Sequence, residues 1–232
     1  MSTIWRALLE FLFRLLYREL AWSYDWVSRV VSLGHWREWQ RLALRYVRGS
    51  ELLELACGTG NLLLDWHAAG WAAVGLDLSP QMVRLARRKL LVYDIPLRLT
   101  RARAQALPFS DATFDSVVAT LPAEFIVQPA TLKEVRRILR PGGRLVVVLG
   151  AALTGRDLRS RVIEWLYAIT GQRPSLPPLD ELMLPDGLSA RWERVAEEGW
   201  EALLLVGEKA QDDGLASQAR AVQGSQPAGL GQ

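Results

Sequence analysis

The sequence predicts an α/β fold with a Rossmann-like, seven-stranded, mostly parallel sheet, helices on both faces, a C-terminal antiparallel hairpin and an N-terminal helical cap. Short apolar runs alternate with amphipathic segments between residues 51 and 149, an order typical of parallel sheets. Near the C-terminus, two further strand-like runs flank a Glu198-Gly199 turn, which favours a hairpin. The chain has 232 residues, half of them hydrophobic, which suits one such domain with appendages.

Residues 4–22 are predicted to form one amphipathic helix. Its narrow charged stripe recurs every four residues and consists of Arg6, Glu10, Arg14 and Arg18. Most of the other side chains are large and apolar, but these charges argue against a membrane-spanning helix. Two interpretations remain. The segment is either a lid helix packed on its own domain, or an interfacial helix lying in a membrane surface with its arginines reaching the headgroups.

Residues 24–47 continue as a helical segment that is broken near Ser32-Leu-Gly34. After it, strands and helices alternate. The predicted strands are residues 51–55, 72–77, 96–103, 114–120 and 144–149, and the predicted helices are residues 61–69, 81–92 and 130–139. Ser79-Pro80 marks the start of the second helix, because Ser is a good N-cap and Pro suits the first helical position.

The pattern loosens after residue 149. Residues 156–170 are expected to be helical, and the Pro-rich residues 173–185 are expected to form a loop over the site. Residues 190–196 and 201–206 are the two predicted hairpin strands. Beyond residue 211 the chain is rich in Gly, Gln, Ala and Ser, which predicts a disordered tail at residues 211–232.

Composition argues against several classes of protein. The net charge is only +3 and the arginines are scattered, so we expect no nucleic-acid partner. The single cysteine, Cys57, excludes an internal disulfide, and with two histidines far apart in sequence we expect no metal site. The apolar N-terminus has no basic region before it and no cleavage site of small residues, so a cytoplasmic location is expected.

A loop of small residues joins the first predicted strand to the next helix. Ala56, Gly58 and Gly60 allow backbone amides to approach a ligand closely, because larger side chains would block that approach. A dinucleotide fold needs a small residue at the sixth position of this loop, and here that position is Asn61. The acidic Glu54, two residues before the loop, suits a ligand with a cationic amino group, such as S-adenosylmethionine.

A second carboxylate, Asp77, ends the second predicted strand, 17 residues after Gly60. A carboxylate there can accept hydrogen bonds from both hydroxyls of a ribose. A glycine-rich turn or an N-cap region alone would be unspecific. Together, in this order and at this spacing, they indicate a nucleoside site.

Four successive segments resemble the motifs of class I S-adenosylmethionine-dependent methyltransferases, and most closely the family that includes the ubiquinone/menaquinone biosynthesis C-methyltransferases. The segments are Glu54-Leu-Ala-Cys-Gly-Thr-Gly60, Gly75-Leu-Asp77-Leu-Ser79-Pro-Gln-Met82, Ala106-Leu-Pro-Phe109-Ser-Asp-Ala-Thr-Phe-Asp115 and Leu139-Arg-Pro-Gly-Gly143. The resemblance covers residues 24–209. It is specific for fold and cofactor, and it says little about the substrate.

The resemblance implies a set of cofactor-binding residues. Glu54 would orient the methionine amino end, Asp77 would hold the ribose hydroxyls, and Thr120 with Leu121 would lie beneath the sulfonium. Tyr24 would close over the cofactor. The full set is Tyr24, Glu54, Ala56, Cys57, Gly58, Gly60, Asp77, Leu78, Met82, Ala104, Gln105, Thr120 and Leu121, in which Leu78 and Met82 would pack on the adenine and Ala104 with Gln105 would lie at its edge.

The sequence departs from the family pattern at three places. Ala56 replaces the first glycine of the loop. Arg103 stands where relatives often carry an aspartate that accepts the adenine amino group, and an arginine can only donate. No obvious general base follows the fourth strand; Glu124 is the nearest candidate, and a solvated or capping carboxylate is the alternative reading of it.

The segment from Tyr24 to Trp39 resembles the cap of the quinone C-methyltransferases, with a Tyr-Asp pair, a Ser-x-Gly break and a Trp-Arg helix. Five of the ten tryptophans precede residue 40. They fit a packed lid, a hydrophobic wall for an isoprenoid or acyl substrate, or a membrane-interface belt.

We therefore expect a helical cap at residues 1–48, a methyltransferase domain at residues 49–210 and a tail. The expected function is S-adenosylmethionine-dependent methylation of a small-molecule or lipid-like acceptor, with peripheral membrane contact through residues 4–22 as an open question. The alternative is a cofactor-binding but catalytically silent partner or regulatory protein. A nicotinamide-dependent oxidoreductase is disfavoured by Asn61.

Overall fold

The computed structural model describes residues 23–122, 124–154, 158–163 and 182–211. Its helices are α1 (Tyr24–Val31), α2 (Trp36–Arg41), α3 (Asn61–Ala68), α4 (Pro80–Val92) and α5 (Pro129–Ile138), with 3-10 turns at Leu42–Arg45 and Glu124–Val127 and a short helix at residues 158–163. Its strands are β1 (Glu51–Leu55), β2 (Ala72–Asp77), β3 (Leu99–Arg101), β4 (Phe114–Thr120), β5 (Leu139–Leu153), β6 (Leu188–Glu197) and β7 (Trp200–Lys209).

The seven strands form one sheet in the order β3-β2-β1-β4-β5-β7-β6. The first five strands pair in parallel, and β7 pairs antiparallel with both β5 and β6. The predicted fold class is therefore confirmed, including the closing hairpin. The predicted break in the cap is also present, because a turn at residues 32–35 separates α1 from α2.

Four predicted strands have different lengths in the structure. The two hairpin strands, predicted at residues 190–196 and 201–206, extend over Leu188–Glu197 and Trp200–Lys209. The third predicted strand is only Leu99–Arg101, because Pro96 has no amide donor and its carbonyl accepts the Arg98 amide in a turn. The fifth runs from Leu139 to Leu153 and includes the Pro-Gly-Gly segment, where its register against β4 shifts. It extends past residue 149 because β7 continues to pair with it as far as Trp200.

Apolar cores cover both faces of the sheet. On one face, α5 packs Leu132, Val135 and Ile138 against the strands. On the other, α3, α4 and the cap contribute a cluster that includes Trp39 and Trp66, each only 1% exposed. Removing either indole would cost about 3–5 kcal/mol by the usual scale of core truncation. The cap is thus an integral layer of the fold.

Several predicted segments lie wholly or mainly outside the described residues. They are the amphipathic helix at residues 4–22, most of the helix at residues 156–170, most of the loop at residues 173–185 and the tail at residues 211–232. Among the residues that the structure describes, no helix is long and apolar enough to cross a membrane.

Candidate active site

The candidate site lies at the carboxyl ends of β1 and β2. The strand order reverses beside β1, since β2 follows it on one side and β4 lies on the other. Open parallel sheets bind ligands at such a switch point. The chain leaves β1 at Leu55, turns through residues 56–60 and enters α3 at Asn61.

Three residues of this loop have positive φ, namely Ala56 (54°), Gly58 (54°) and Gly60 (78°). A Cβ at Gly58 would meet nothing within 4 Å, so the loop has open space beside it for a ligand. A Cβ at Gly60 would lie 3.1 Å from the Ala86 side chain, so this glycine instead lets α4 pack closely. Ala56 takes the same left-handed backbone conformation with a side chain, at a cost of about 1 kcal/mol.

Asp77 connects the second strand to the loop. One carboxylate oxygen accepts the Gly58 amide at 2.9 Å, and the other accepts the Ser79 amide at 2.8 Å. Burial raises the pKa of Asp77, although these backbone hydrogen bonds act in the opposite direction. A carboxylate has about four acceptor positions, so these backbone donors leave acceptor capacity for a ligand hydroxyl.

Glu54 is buried beneath the loop and only 1% exposed. Burial raises its pKa well above the usual range. The nearby Trp66 indole acts in the opposite direction, and the neighbouring charge of Asp77 adds to the effect of burial. Its Oε2 atom accepts no hydrogen bond from the described residues. A buried carboxylate oxygen without a donor is costly, and a cationic ligand group would relieve that cost.

The predicted apolar contacts divide into two kinds. Leu78 follows Asp77 and is 54% exposed, so it offers a free apolar surface for a flat ring. Met82 and Cys57 are almost completely buried, and burial also raises the pKa of the Cys57 thiol. Both side chains therefore support the site from below, and neither presents a surface on which adenine could pack.

The predicted adenine edge forms a turn after β3. The Ala106 amide donates to the Arg103 carbonyl, Ala104 is buried, and the Arg103 side chain is exposed. The Gln105 amide nitrogen donates to the Gln128 side-chain oxygen at 2.8 Å, which ties the turn to the start of α5. Contact of Ala104 and Gln105 with adenine stays a prediction.

At the end of β4, Thr120 is 7% exposed and Leu121 has a φ of 50°. The amide nitrogen of Gln40, on α2, lies 3.4 Å from the Thr120 hydroxyl, so the cap reaches this corner of the site. Glu124 is the first residue of a 3-10 turn, and its side chain lies outside the described part of the structure. Its role as a base stays a prediction.

Asp25 is a site residue that the sequence reasoning missed. Its neighbour Tyr24 was singled out instead, and the Tyr24 ring packs edge-on against Trp36 with ring centroids 6.2 Å apart. Asp25 accepts hydrogen bonds from the side chains of Thr59 and Asn61, and it forms an ion pair with Lys89. The acidic residue of the Tyr-Asp pair was the only signal in the sequence.

The cap is also held by two ion pairs between α2 and α3. Arg37 and Arg41, on α2, donate to the same Asp65 oxygen of α3 at 2.7 and 2.8 Å.

Within the described residues, no group of acidic, His or Cys side chains has the geometry to hold a metal ion.

Comparisons with known proteins agree with this geometry. A family model described as a methyltransferase domain matches residues 53–147. The demethylmenaquinone methyltransferase of Symbiobacterium thermophilum is 31% identical over 75% of this chain and 80% of its own length. The ubiquinone/menaquinone biosynthesis C-methyltransferase of Geotalea uraniireducens is 36% identical over 56% of this chain and 59% of its own.

A solved structure with the same fold is that of a SAM-dependent methyltransferase from Thermotoga maritima. Its TM-score is 0.58 at 18% identity, and the alignment covers 85% of this chain and 99% of that one. At this identity the likeness concerns the fold alone.

Proposed function

Because the chain belongs to the S-adenosylmethionine-dependent methyltransferase family that includes the demethylmenaquinone methyltransferases, we propose that it methylates a quinol-like, lipid-like small molecule. It is a methyltransferase enzyme, and its cofactor is S-adenosylmethionine. The observation that carries the proposed substrate class is the match over 80% of the length of a demethylmenaquinone methyltransferase.

The residues of the candidate site fit this cofactor. The unpartnered oxygen of Glu54 suits a cationic amino group, and the remaining acceptor capacity of Asp77 suits the hydroxyls of a ribose. The open space beside Gly58 gives room for the chain between them. Leu78 supplies an exposed apolar surface for the base. We therefore assign Glu54, Gly58, Asp77 and Leu78 to cofactor binding.

The proposed reaction requires little acid–base catalysis by the protein. When bound, the cofactor supplies a methyl group on a sulfonium, whose sulfur retains the C–S electron pair as the acceptor carbon forms the new bond. The protein contributes proximity and alignment, which can supply most of the rate enhancement. The carbon of an electron-rich quinol ring is itself nucleophilic and releases its proton to water, so a strong base is not required.

The test is an acceptor comparison with methyl-labelled S-adenosylmethionine. The enzyme should label a chemically reduced demethylmenaquinone and leave its oxidised form, a primary amine and a thiol unlabelled. The Asp77→Ala variant is the matched control, because it removes the proposed ribose acceptor while leaving the cap in place. Labelling of the amine in preference to the quinol would overturn the substrate class. Cofactor binding without transfer to any acceptor would favour a silent binding protein.

We further infer that the protein contacts membranes peripherally through residues 4–22, where a quinol substrate would be found. The amphipathic pattern of that segment supports this, as does Trp26 at the start of the described chain, which is 69% exposed. The full chain should sediment with vesicles that contain anionic lipid, and the chain without residues 1–22 should stay in the supernatant. Failure of the full chain to sediment would contradict this inference.

A further inference from the structure

Asp25, Thr59, Asn61 and Lys89 form a connected set of hydrogen bonds, which we call the Asp25 network, and Arg37 donates to the same Asn61 oxygen from α2 at 3.3 Å. Asp25 Oδ1 accepts the Thr59 hydroxyl at 2.6 Å and the Asn61 amide nitrogen at 2.9 Å. Lys89 Nζ donates to Asp25 Oδ2 at 2.8 Å, to Asn61 Oδ1 at 2.6 Å and to Thr59 Oγ1 at 3.1 Å. All three ammonium donors are therefore used.

The network joins four parts of the molecule. Asp25 is on the cap helix α1, Thr59 is in the glycine loop, Asn61 begins α3, and Lys89 is on the third turn of α4. Burial alone would raise the pKa of Asp25, but the hydrogen bonds from Lys89, Thr59 and Asn61 outweigh it, and the pKa is lowered. Asp25 is therefore ionised when the cap is docked at neutral pH.

The glycine loop is consequently held from two sides. The Gly58 amide is fixed to Asp77, and the next side chain, Thr59, is fixed to Asp25. Gly58, Thr59 and Gly60 are consecutive, so a rotation of the loop that released one contact would disturb the other. The position of the backbone facing the cofactor thus depends on whether α1 is docked.

We propose that Asp25 and Lys89 are positioning residues that couple docking of the cap helix to cofactor binding. The inference rests on the cofactor site assigned above. The network touches the loop and leaves the assigned cofactor contacts of Glu54, Asp77 and Leu78 free. It would act by holding Thr59, so that docking of α1 and closure of the loop on the cofactor favour each other.

The proposal is tested with Asp25→Asn, which keeps the shape of the side chain and removes its charge, and with Lys89→Met. The matched control is Arg41→Met, which breaks another ion pair between cap and body, with Asp65 on α3, and which takes no part in the Asp25 network. Calorimetry should show that each network variant weakens S-adenosylmethionine binding about tenfold. The double variant should lose little more than either alone, because both act on one network. The control should stay within about twofold of wild type.

Hydrogen exchange supplies a readout that a merely structural ion pair would not change. In the wild-type protein, saturating S-adenosylhomocysteine should slow amide exchange in residues 24–31, and in Asp25→Asn this slowing should be lost. Variants that melt at a lower temperature but bind the cofactor with wild-type affinity would overturn the coupling. If wild type and Arg41→Met also fail to bind, the cofactor site itself is wrong, and the two failures are therefore distinguishable.

Discussion

Four residues at the ends of β1, β2 and β4 have an unfavourable backbone conformation or a buried carboxyl group. Ala56 and Leu121 have φ values of 54° and 50°, and the carboxyl groups of Glu54 and Asp77 are buried with raised pKa values. Strained backbone and perturbed carboxylates are enriched at functional sites, although Leu33, Asp94 and Ala112 take the same backbone conformation in turns elsewhere in the fold. Two of the residues at these strand ends lie directly against the loop, since Ala56 belongs to it and Asp77 accepts the Gly58 amide.

At the scale of single residues, the most direct prediction concerns the effect of Asp77 on cofactor affinity. Asp77→Ala should weaken S-adenosylmethionine binding at least about tenfold, or about 1.4 kcal/mol, because a buried acceptor for ribose hydroxyls is lost. Asp77→Asn, which keeps one acceptor oxygen, should fall between that variant and wild type. Isothermal calorimetry measures both. The control is Asp94→Asn, at an exposed turn after α4. Wild-type affinity in Asp77→Ala would show that the ribose lies elsewhere.

Glu54 predicts a pH dependence of binding. Its pKa in the free protein is raised by burial, so as the pH falls through that pKa the carboxyl takes up a proton and can no longer attract an ammonium group. The affinity of the wild-type protein for S-adenosylmethionine should therefore rise as the pH is raised above the ordinary titration range of a glutamate carboxyl. Glu54→Gln should bind more weakly and lose this rise. A profile of the same shape in both proteins would exclude Glu54 as the partner of the amino group.

Residue roles could be predicted from sequence only where the partners are close in the chain or the spacing is distinctive. Gly58 and Asp77 are of this kind, and the 2.9 Å hydrogen bond between them agrees with their predicted proximity. Asp25 is not, because Thr59 and Lys89 lie 34 and 64 positions away and meet it only through packing of the cap. Met82 lies in the helix predicted after Ser79-Pro80. Its complete burial could not be predicted, because it depends on how α4 packs against the sheet.

At the scale of elements, the strand bounds followed the apolar runs wherever both neighbours were strands of the parallel sheet. Strands β1, β2 and β4 have the predicted bounds. The other four strands differ from their predicted bounds: β3 and β6 are edge strands with one neighbour each, and β5 and β7 pair antiparallel with each other. Such pairing is non-local, so the local sequence pattern could not show where these strands end.

Arg137 links α5 to residues 107–111, the segment before β4, and we expect this link to stabilise the fold. Its guanidinium donates to the Leu107 and Phe109 carbonyls and pairs with Glu134 and Asp111. Arg137→Met should lower the free energy of unfolding by about 2 kcal/mol, since two partly buried carbonyls lose their donor and two ion pairs are broken. Urea denaturation measures this. Lys133→Met, at an exposed position of the same helix, should change it by less than about 0.5 kcal/mol. Equal losses would show that the link is unimportant.

At the scale of the whole molecule, residues from distant parts of the chain meet at the carboxyl ends of the parallel strands. The glycine loop and Asp77 come from β1 and β2, Thr120 from β4, and Asp25 and Gln40 from the cap. The cap contacts the glycine loop through Asp25 and reaches the end of β4 through Gln40. This arrangement suits a site that acts mainly by aligning the methyl donor with its acceptor.

The most direct test of the cofactor site is a crystal structure with S-adenosylhomocysteine. The ligand should lie above the carboxyl ends of β1 and β2, with its ribose hydroxyls on the Asp77 carboxylate and its amino group beside Glu54. The Thr59 side chain should remain on Asp25. A ligand bound elsewhere on the protein, or one bound here whose ribose does not contact Asp77, would contradict the assignment.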